Sequence, residues 1–216
     1  MASTKLSDPA ALSGPLTGIT FLAGVGTGLA TANSPYPRPG SKPAEIRRFF
    51  GESPNSARMS ATGQAVSAGM LIPFTRSVAE FIGRTGRGSR PLKAAAIAGG
   101  AIATASLATS AACTALLTGR RKDNDESAVA VHRAAFVAGG PVHGAGFGAL
   151  VGALALAGLR SGELPRPVAV TGLVSAGAGL LSPLYFAVKP AAWLIPAGRF
   201  PGLVVSGIAG VRLSRR

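Results

Sequence analysis

Along this chain, uncharged apolar runs of about twenty residues or more alternate with short stretches that gather most of the charge. Six runs stand out, at residues 12–32, 59–82, 92–117, 134–159, 167–188 and 191–211. A hydrocarbon core needs about 20 mostly apolar residues per helix, so each run is long enough to cross a bilayer. None shows the period-2 alternation of a membrane barrel, and their abundant Ala favours helix. Helices also satisfy every backbone N–H and C=O within the segment, as a lipid environment demands. The pattern predicts an all-α, polytopic transmembrane helical bundle of about six helices, forming a single membrane domain over residues 1–216.

The runs are not equally clean. The second is the most polar, because it holds Gln64, Arg76 and Glu80. The sixth contains Arg199 between Pro196 and Pro201, which suggests a broken helix or a re-entrant turn. The first admits two readings. Lys5, the apolar stretch and Ala30-Thr31-Ala32 resemble a cleavable signal peptide. Against cleavage, Asp8 spoils a basic leader, the uncharged stretch is long, and Gly14, Gly18, Gly24 and Gly28 are suited to helix packing.

The connecting stretches differ in kind. Residues 33–58 form the longest, opening with the turn-forming Ser34-Pro35-Tyr36-Pro37-Arg38-Pro39-Gly40. Within it, Pro43 to Phe50 reads as a short amphipathic helix with Ile46, Phe49 and Phe50 on one face. Such a helix either lies among lipid headgroups or is an ordinary solvated turn. Gly119 to Ser127 is a polar loop of mixed charge, and Arg160 to Arg166 is a tight connection with Gly162 and Pro165.

Composition supports the membrane reading. The chain has 216 residues, of which 47% are hydrophobic and only 14% charged, whereas soluble domains carry about 25% charged residues. The formal net charge is +14, which in a soluble protein would suggest nucleic acid. Here the basic residues flank apolar runs, as at Arg84, Arg87, Arg90, Lys93, Arg212, Arg215 and Arg216, where they anchor helices and meet anionic headgroups. Aromatic residues are too few to stack bases. The expected partner is the lipid bilayer, with a homo-oligomer or partner membrane helices as further options, and no nucleic acid. Lys and Arg are evenly divided between the two sides, so the positive-inside rule does not choose an orientation. The acid-free Arg84–Lys93 loop and the basic tail favour both termini on the cytoplasmic side of a cell membrane. The Ala, Gly and Arg bias suggests a bacterial source.

Few residues carry candidate chemistry. Cys113 is the single cysteine and sits in an apolar run, so no disulfide framework exists. One Cys and two distant His residues make no zinc site, and no nucleophile–base set stands out. No cofactor and no enzymatic activity are expected. Ionisable residues within spans are candidates by default, which singles out Arg76, Glu80, His143 and Arg199 as an intramembrane polar site. Arg76 and Glu80 are four apart and could pair along one helix. Glu80 and loose backbone carbonyls near Pro201 are the acceptors available to Arg199. Helix packing is expected where small residues recur every fourth position: Gly140, Gly144, Gly148 and Gly152, then Gly198, Gly202, Ser206 and Gly210.

The layout resembles a family of uncharacterised six-helix integral membrane proteins common in actinobacteria. The likeness rests on Pro39-Gly40 followed by Glu45-Ile46-Arg47-Arg48-Phe49-Phe50, on Ala98-Gly99-Gly100 opening the third helix, and on the basic, proline-containing turn from Leu159 to Arg166. This chain departs in its few aromatics and its polar second helix. The resemblance implies topology and no activity. Three functions compete on these observations. One is a small-molecule-binding or transport-related protein with an internal polar site, in which the four ionisable side chains converge. Another is a structural or interaction protein assembling through glycine faces, in which those side chains sit at the interface or apart and a glycine stripe faces lipid. An intramembrane enzyme ranks last.

Overall fold

A computed structural model describes residues 8–86, 89–119 and 125–215. Lys5, Arg87, Arg216 and most of the charged Gly119–Ser127 loop lie outside the described residues. Those described are overwhelmingly helical and include no strand. The α-helices are α1 (Ser13–Ala30, preceded by a 3-10 turn, Pro9–Leu12), α2 (Pro43–Glu52), α3 (Pro54–Arg84), α4 (Ser89–Gly119), α5 (Asp125–Val137), α6 (His143–Ser161), α7 (Arg166–Leu181) and α8 (Leu194–Ser214). A π-helical turn, Ala138–Val142, joins α5 to α6 into one long helix. Two 3-10 turns, Ser182–Phe186 and Lys189–Trp193, link α7 to α8.

Six helical stretches are long and apolar enough to cross a membrane: Pro9–Ala30, Pro54–Arg84, Ser89–Gly119, Asp125–Ser161, Arg166–Phe186 and Lys189–Ser214. They contain the six runs read from the sequence to within two residues at either end. The outward faces are apolar, with Val174 70%, Ile72 62% and Val204 61% exposed. In water such a surface would be a liability; in hydrocarbon it is the matching one. The fold is that of a multi-pass membrane protein.

Each span packs against the next in sequence, and the last returns to the first, so the bundle is a closed ring α1–α3–α4–α6–α7–α8. Its centre holds Phe74, Phe147, Leu150, Leu154 and Val205, all at most 1% exposed. Without a hydrophobic drive between helices in lipid, close backbone approach at small residues holds such a ring together. Gly24 of α1 sits on Gly63 of α3, where a Cβ on Gly24 would fall 2.4 Å from the Gly63 Cα. Gly99 meets Gly146 between α4 and α6 in the same way. Buried serines add bonds across seams: Ser67 Oγ donates to the Thr17 carbonyl at 3.0 Å, and Ser175 Oγ to the Gly198 carbonyl at 2.5 Å.

The predicted glycine faces point into the ring. A Cβ on Gly144, Gly148 or Gly152 would press on Ser182, Ala176 or Gly179 around α7. Gly198 packs on Gly179, Gly202 on Phe147 and Ser175, and Gly210 on Ala11 and Pro15. Gly140 departs from its stripe and faces Ile195 and Phe136. These glycines face neighbouring helices of the ring.

Two local expectations need correction. The sixth span is not broken at Pro196–Pro201, because α8 is continuous from Leu194 to Ser214. Pro196 falls in the first turn, where its missing N–H would have had no intrahelical partner. The irregular turn lies instead in the fourth span, where Pro141 sits inside the π-helical turn. Proline there removes a main-chain donor, and the helix widens around the gap. The apolar face of the amphipathic α2 meets protein, so the helix is not a solvated turn. Ile46, Phe49 and Phe50 are 1%, 2% and 4% exposed, packed with Ala57, Leu117 and Ala128. The helix thus caps one end of the bundle, and Arg47 pairs with Asp125 of α5 beside it.

Candidate functional site

The four ionisable residues singled out in the spans do not form one site. Arg76 and Glu80 pair along α3, with Arg76 Nε 3.0 Å from Glu80 Oε1. They point outward, at 82% and 49% side-chain exposure. The pair is neutral as a unit, and its i,i+4 spacing explains why the second span tolerates both charges. It contributes nothing to the interior, and Glu80 is not the partner of Arg199.

His143 and Arg199 do converge, on the π-helical turn. His143 is 3% exposed, stacks on Phe147 at 5.6 Å between ring centres, and has Nδ1 3.0 Å from the Ala103 carbonyl of α4. A carbonyl only accepts, so Nδ1 carries the proton in this bond. Arg199 reaches from the second turn of α8 and donates through its terminal nitrogen to the Gly139 carbonyl. Gly139 and His143 are four residues apart and share a helical face. The guanidinium also lies over the Phe21 ring of α1, 5.0 Å from its centre, a cation–π contact. The acceptor for Arg199 is thus a backbone carbonyl, as one of the two sequence options held, but it belongs to the irregular turn of the fourth span rather than to α8.

The arginine is incompletely satisfied. Its Nε has no accessible surface and no hydrogen-bond partner. Beside it is a cavity of about 210 Å³ that reaches from Arg199 to Tyr36 beneath the segment before α2. Gln64 of α3 and Ser110 of α4 supply polar atoms to its wall, while Phe21, Val25, Phe136 and Ile195 supply apolar surface. No acidic residue lines it. Gly139 is required at this point, because a Cβ there would fall 2.4 Å from Ser110 Oγ. Five spans therefore meet around one unneutralised cation.

Of these residues, Arg199 was legible from its charge and Gln64 from its polarity within a span. Ser110, Tyr36 and the Gly139 carbonyl were not, since a serine or a carbonyl within an apolar helix carries no distinguishing signal. Among the described residues no group of three or more His, Cys, Asp or Glu side chains is placed to hold a metal ion. No family model, curated protein or solved structure matches the chain.

Proposed function

We propose that this membrane protein is a small-molecule-binding, transport-related protein that takes up a small organic anion in the cavity beside Arg199. The observation that carries the reading is the Arg199 cation lining a cavity that no described acidic residue lines. Burying a cation away from water is costly unless a counter-charge or several acceptors compensate. One carbonyl and one aromatic face are partial compensation, and an anion would complete it. Arg presents a planar fork suited to a carboxylate. An apolar cavity of about 150 Å³ is known to hold benzene, so 210 Å³ suits a monocarboxylate with a ring-sized apolar body. Gln64 and Ser110 would fix its orientation, as sparse polar groups do in apolar pockets.

We place the protein in the cell membrane with both ends of the span set on the cytoplasmic side. The acid-free basic residues Arg84, Arg90 and Lys93, with Arg212 and Arg215 at the last helix exit, support that orientation.

The binding reading is tested with benzoate and its uncharged isostere benzamide on purified protein in lipid nanodiscs, by thermal unfolding and calorimetry. Benzoate is expected to raise the melting temperature with its concentration, as a ligand selective for the folded state must, and benzamide to have far less effect. Arg199→Gln should abolish the response and Arg212→Gln should keep it. Equal responses to both compounds, or an undiminished response in Arg199→Gln, would overturn the assignment.

A further inference from the structure

A second cavity, of about 460 Å³, lies at the capped end of the bundle. Its walls come from three places: the Pro39–Ile46 stretch that leads into α2, the inner turns of α5, and the link between α7 and α8. Three nitrogen-bearing side chains face it, His132, Arg133 and Lys189, and no acidic residue among those described lines it. Arg133 and Lys189 are exposed. His132 is 3% exposed, and its ring donates to the Pro37 carbonyl, so it belongs to the wall and is not a free cation. The two acids at the start of α5 are placed elsewhere. Asp125 is taken by Arg47, and Glu126 is two helical turns before Arg133, about 10 Å along the axis.

The aromatic floor indicates the level of this cavity in the membrane. Tyr185 packs edge-on against Phe136 at 5.1 Å, and Lys189 Nζ sits 4.5 Å from the centre of the Tyr185 ring. Tyr185 and Lys189 lie in the link between the fifth and sixth spans, where the chain leaves the hydrocarbon. Aromatic and basic side chains together mark the headgroup region. Phe186 and Val188 are each 54% exposed, and Leu180, Leu181 and Leu184 just before them are exposed too. The cavity is larger than a phosphate alone requires and leaves room for the glycerol that carries it.

We propose that this cavity binds the phosphate of an anionic phospholipid headgroup, held by Arg133 and Lys189 at its rim. The acyl chains would run down the exposed apolar face beside Phe186. Basic pockets between spans hold phosphate headgroups in this manner, through charge-assisted hydrogen bonds from the cations. The proposal stands on residues other than Arg199 and does not depend on the binding reading above.

The test uses the full chain, with dioleoyl phosphatidylglycerol and dioleoyl phosphatidylcholine as probes, read by native mass spectrometry and by melting temperature. One phosphatidylglycerol is expected to stay bound and raise the melting temperature, whereas phosphatidylcholine does neither. The double variant Arg133→Gln/Lys189→Gln should lose about thirtyfold in phosphatidylglycerol affinity, the combined effect expected of two cations near an anionic surface. Its melting in phosphatidylcholine should match the parent, which establishes that it folds. The double variant Arg84→Gln/Arg90→Gln, at the opposite end, should keep the preference. Equal loss in both double variants would reduce the effect to net charge and overturn the site. Stabilisation by inorganic phosphate alone, with displacement of the bound lipid, would assign the cavity to a soluble phosphate and overturn the lipid.

Discussion

Gly24 and Gly26 are two residues apart on α1, yet substitution by Ala should act in opposite directions. A Cβ on Gly24 would lie 2.4 Å from the Gly63 Cα and 2.9 Å from the Met59 carbonyl oxygen, while one on Gly26 meets nothing within 4 Å. Ordinary contact begins near 3.4 Å, and both clashes are with backbone, which has no rotamer to change. Helices α1 and α3 must therefore part by about 1 Å. A gap of that size forfeits roughly a quarter to a half of each atom-pair attraction along the seam. For about thirty pairs at about 0.15 kcal/mol each, the loss is about 1–2 kcal/mol. Overpacking a fitted site costs about 1–3 kcal/mol, which agrees. Ala gains up to about 1 kcal/mol over Gly from helix propensity at either position. Gly24→Ala should thus be neutral to destabilised by about 2 kcal/mol, and Gly26→Ala stabilised by up to about 1 kcal/mol. Reversible unfolding in bicelles, read by tryptophan fluorescence, would measure both. Equal stability of the two variants would refute the claim that the α1–α3 seam is set by backbone contact.

Other outcomes follow from the same geometry. Arg199→Ala strands the Gly139 carbonyl and should cost about 1–3 kcal/mol, whereas Arg212→Ala, at an exposed position, should stay within about 0.5 kcal/mol; Arg199→Lys should rescue poorly in the same unfolding assay, because an ammonium cannot copy the guanidinium fork. Leu at Gly148 would run into backbone at Ala176–Leu180, so Gly148→Leu should lower the melting temperature in detergent, and an unchanged melt would deny the α6–α7 contact. Phe49→Ala removes a side chain that is 2% exposed from the α2 cap, and cleavage of the Thr31–Lys42 stretch by added protease should quicken if that cap depends on it. Phe136 lines both cavities, and Phe136→Ala should join them, which benzoate binding kinetics would register as faster entry and exit.

The six spans were legible because a span needs only length and low polarity, and both can be read from a window of sequence. The start of the fourth was less so. His132 and Arg133 resemble loop residues, and only the docked α2 and the interfacial level of this turn make helix acceptable there. Ile46, Phe49 and Phe50 gave α2 an apolar face, but amphipathicity does not say whether that face meets lipid or protein. The prolines misled for a related reason. Pro196 and Pro201 drew attention as helix breakers, although the first occupies a turn with no intrahelical donor to lose. Gly139-Gly140-Pro141 held the real irregularity, in a run chosen for being free of charge. Arg199 was visible from its cost in a membrane. Its acceptor was not, since a freed carbonyl depends on which helix widens and where its neighbour stands.

The order of the ring bears on how the protein is made. Five of its six seams join spans that follow one another, so each new span can settle on the preceding one as the chain enters the membrane. The seam between α1 and α8 is different: Gly210 must find Ala11 and Pro15, nearly the whole chain apart. Until it does, the flank of α1 around Gly14 and Phe21 stands open, and the Gly139 carbonyl has no arginine. The cavity beside Arg199 therefore comes into being only when α8 joins the ring. A chain stopped before α8 would be well inserted and largely packed, yet it would lack both the cation and the wall that make a binding site, and its unclosed slot would mark it as unfinished to the machinery that removes incomplete membrane proteins.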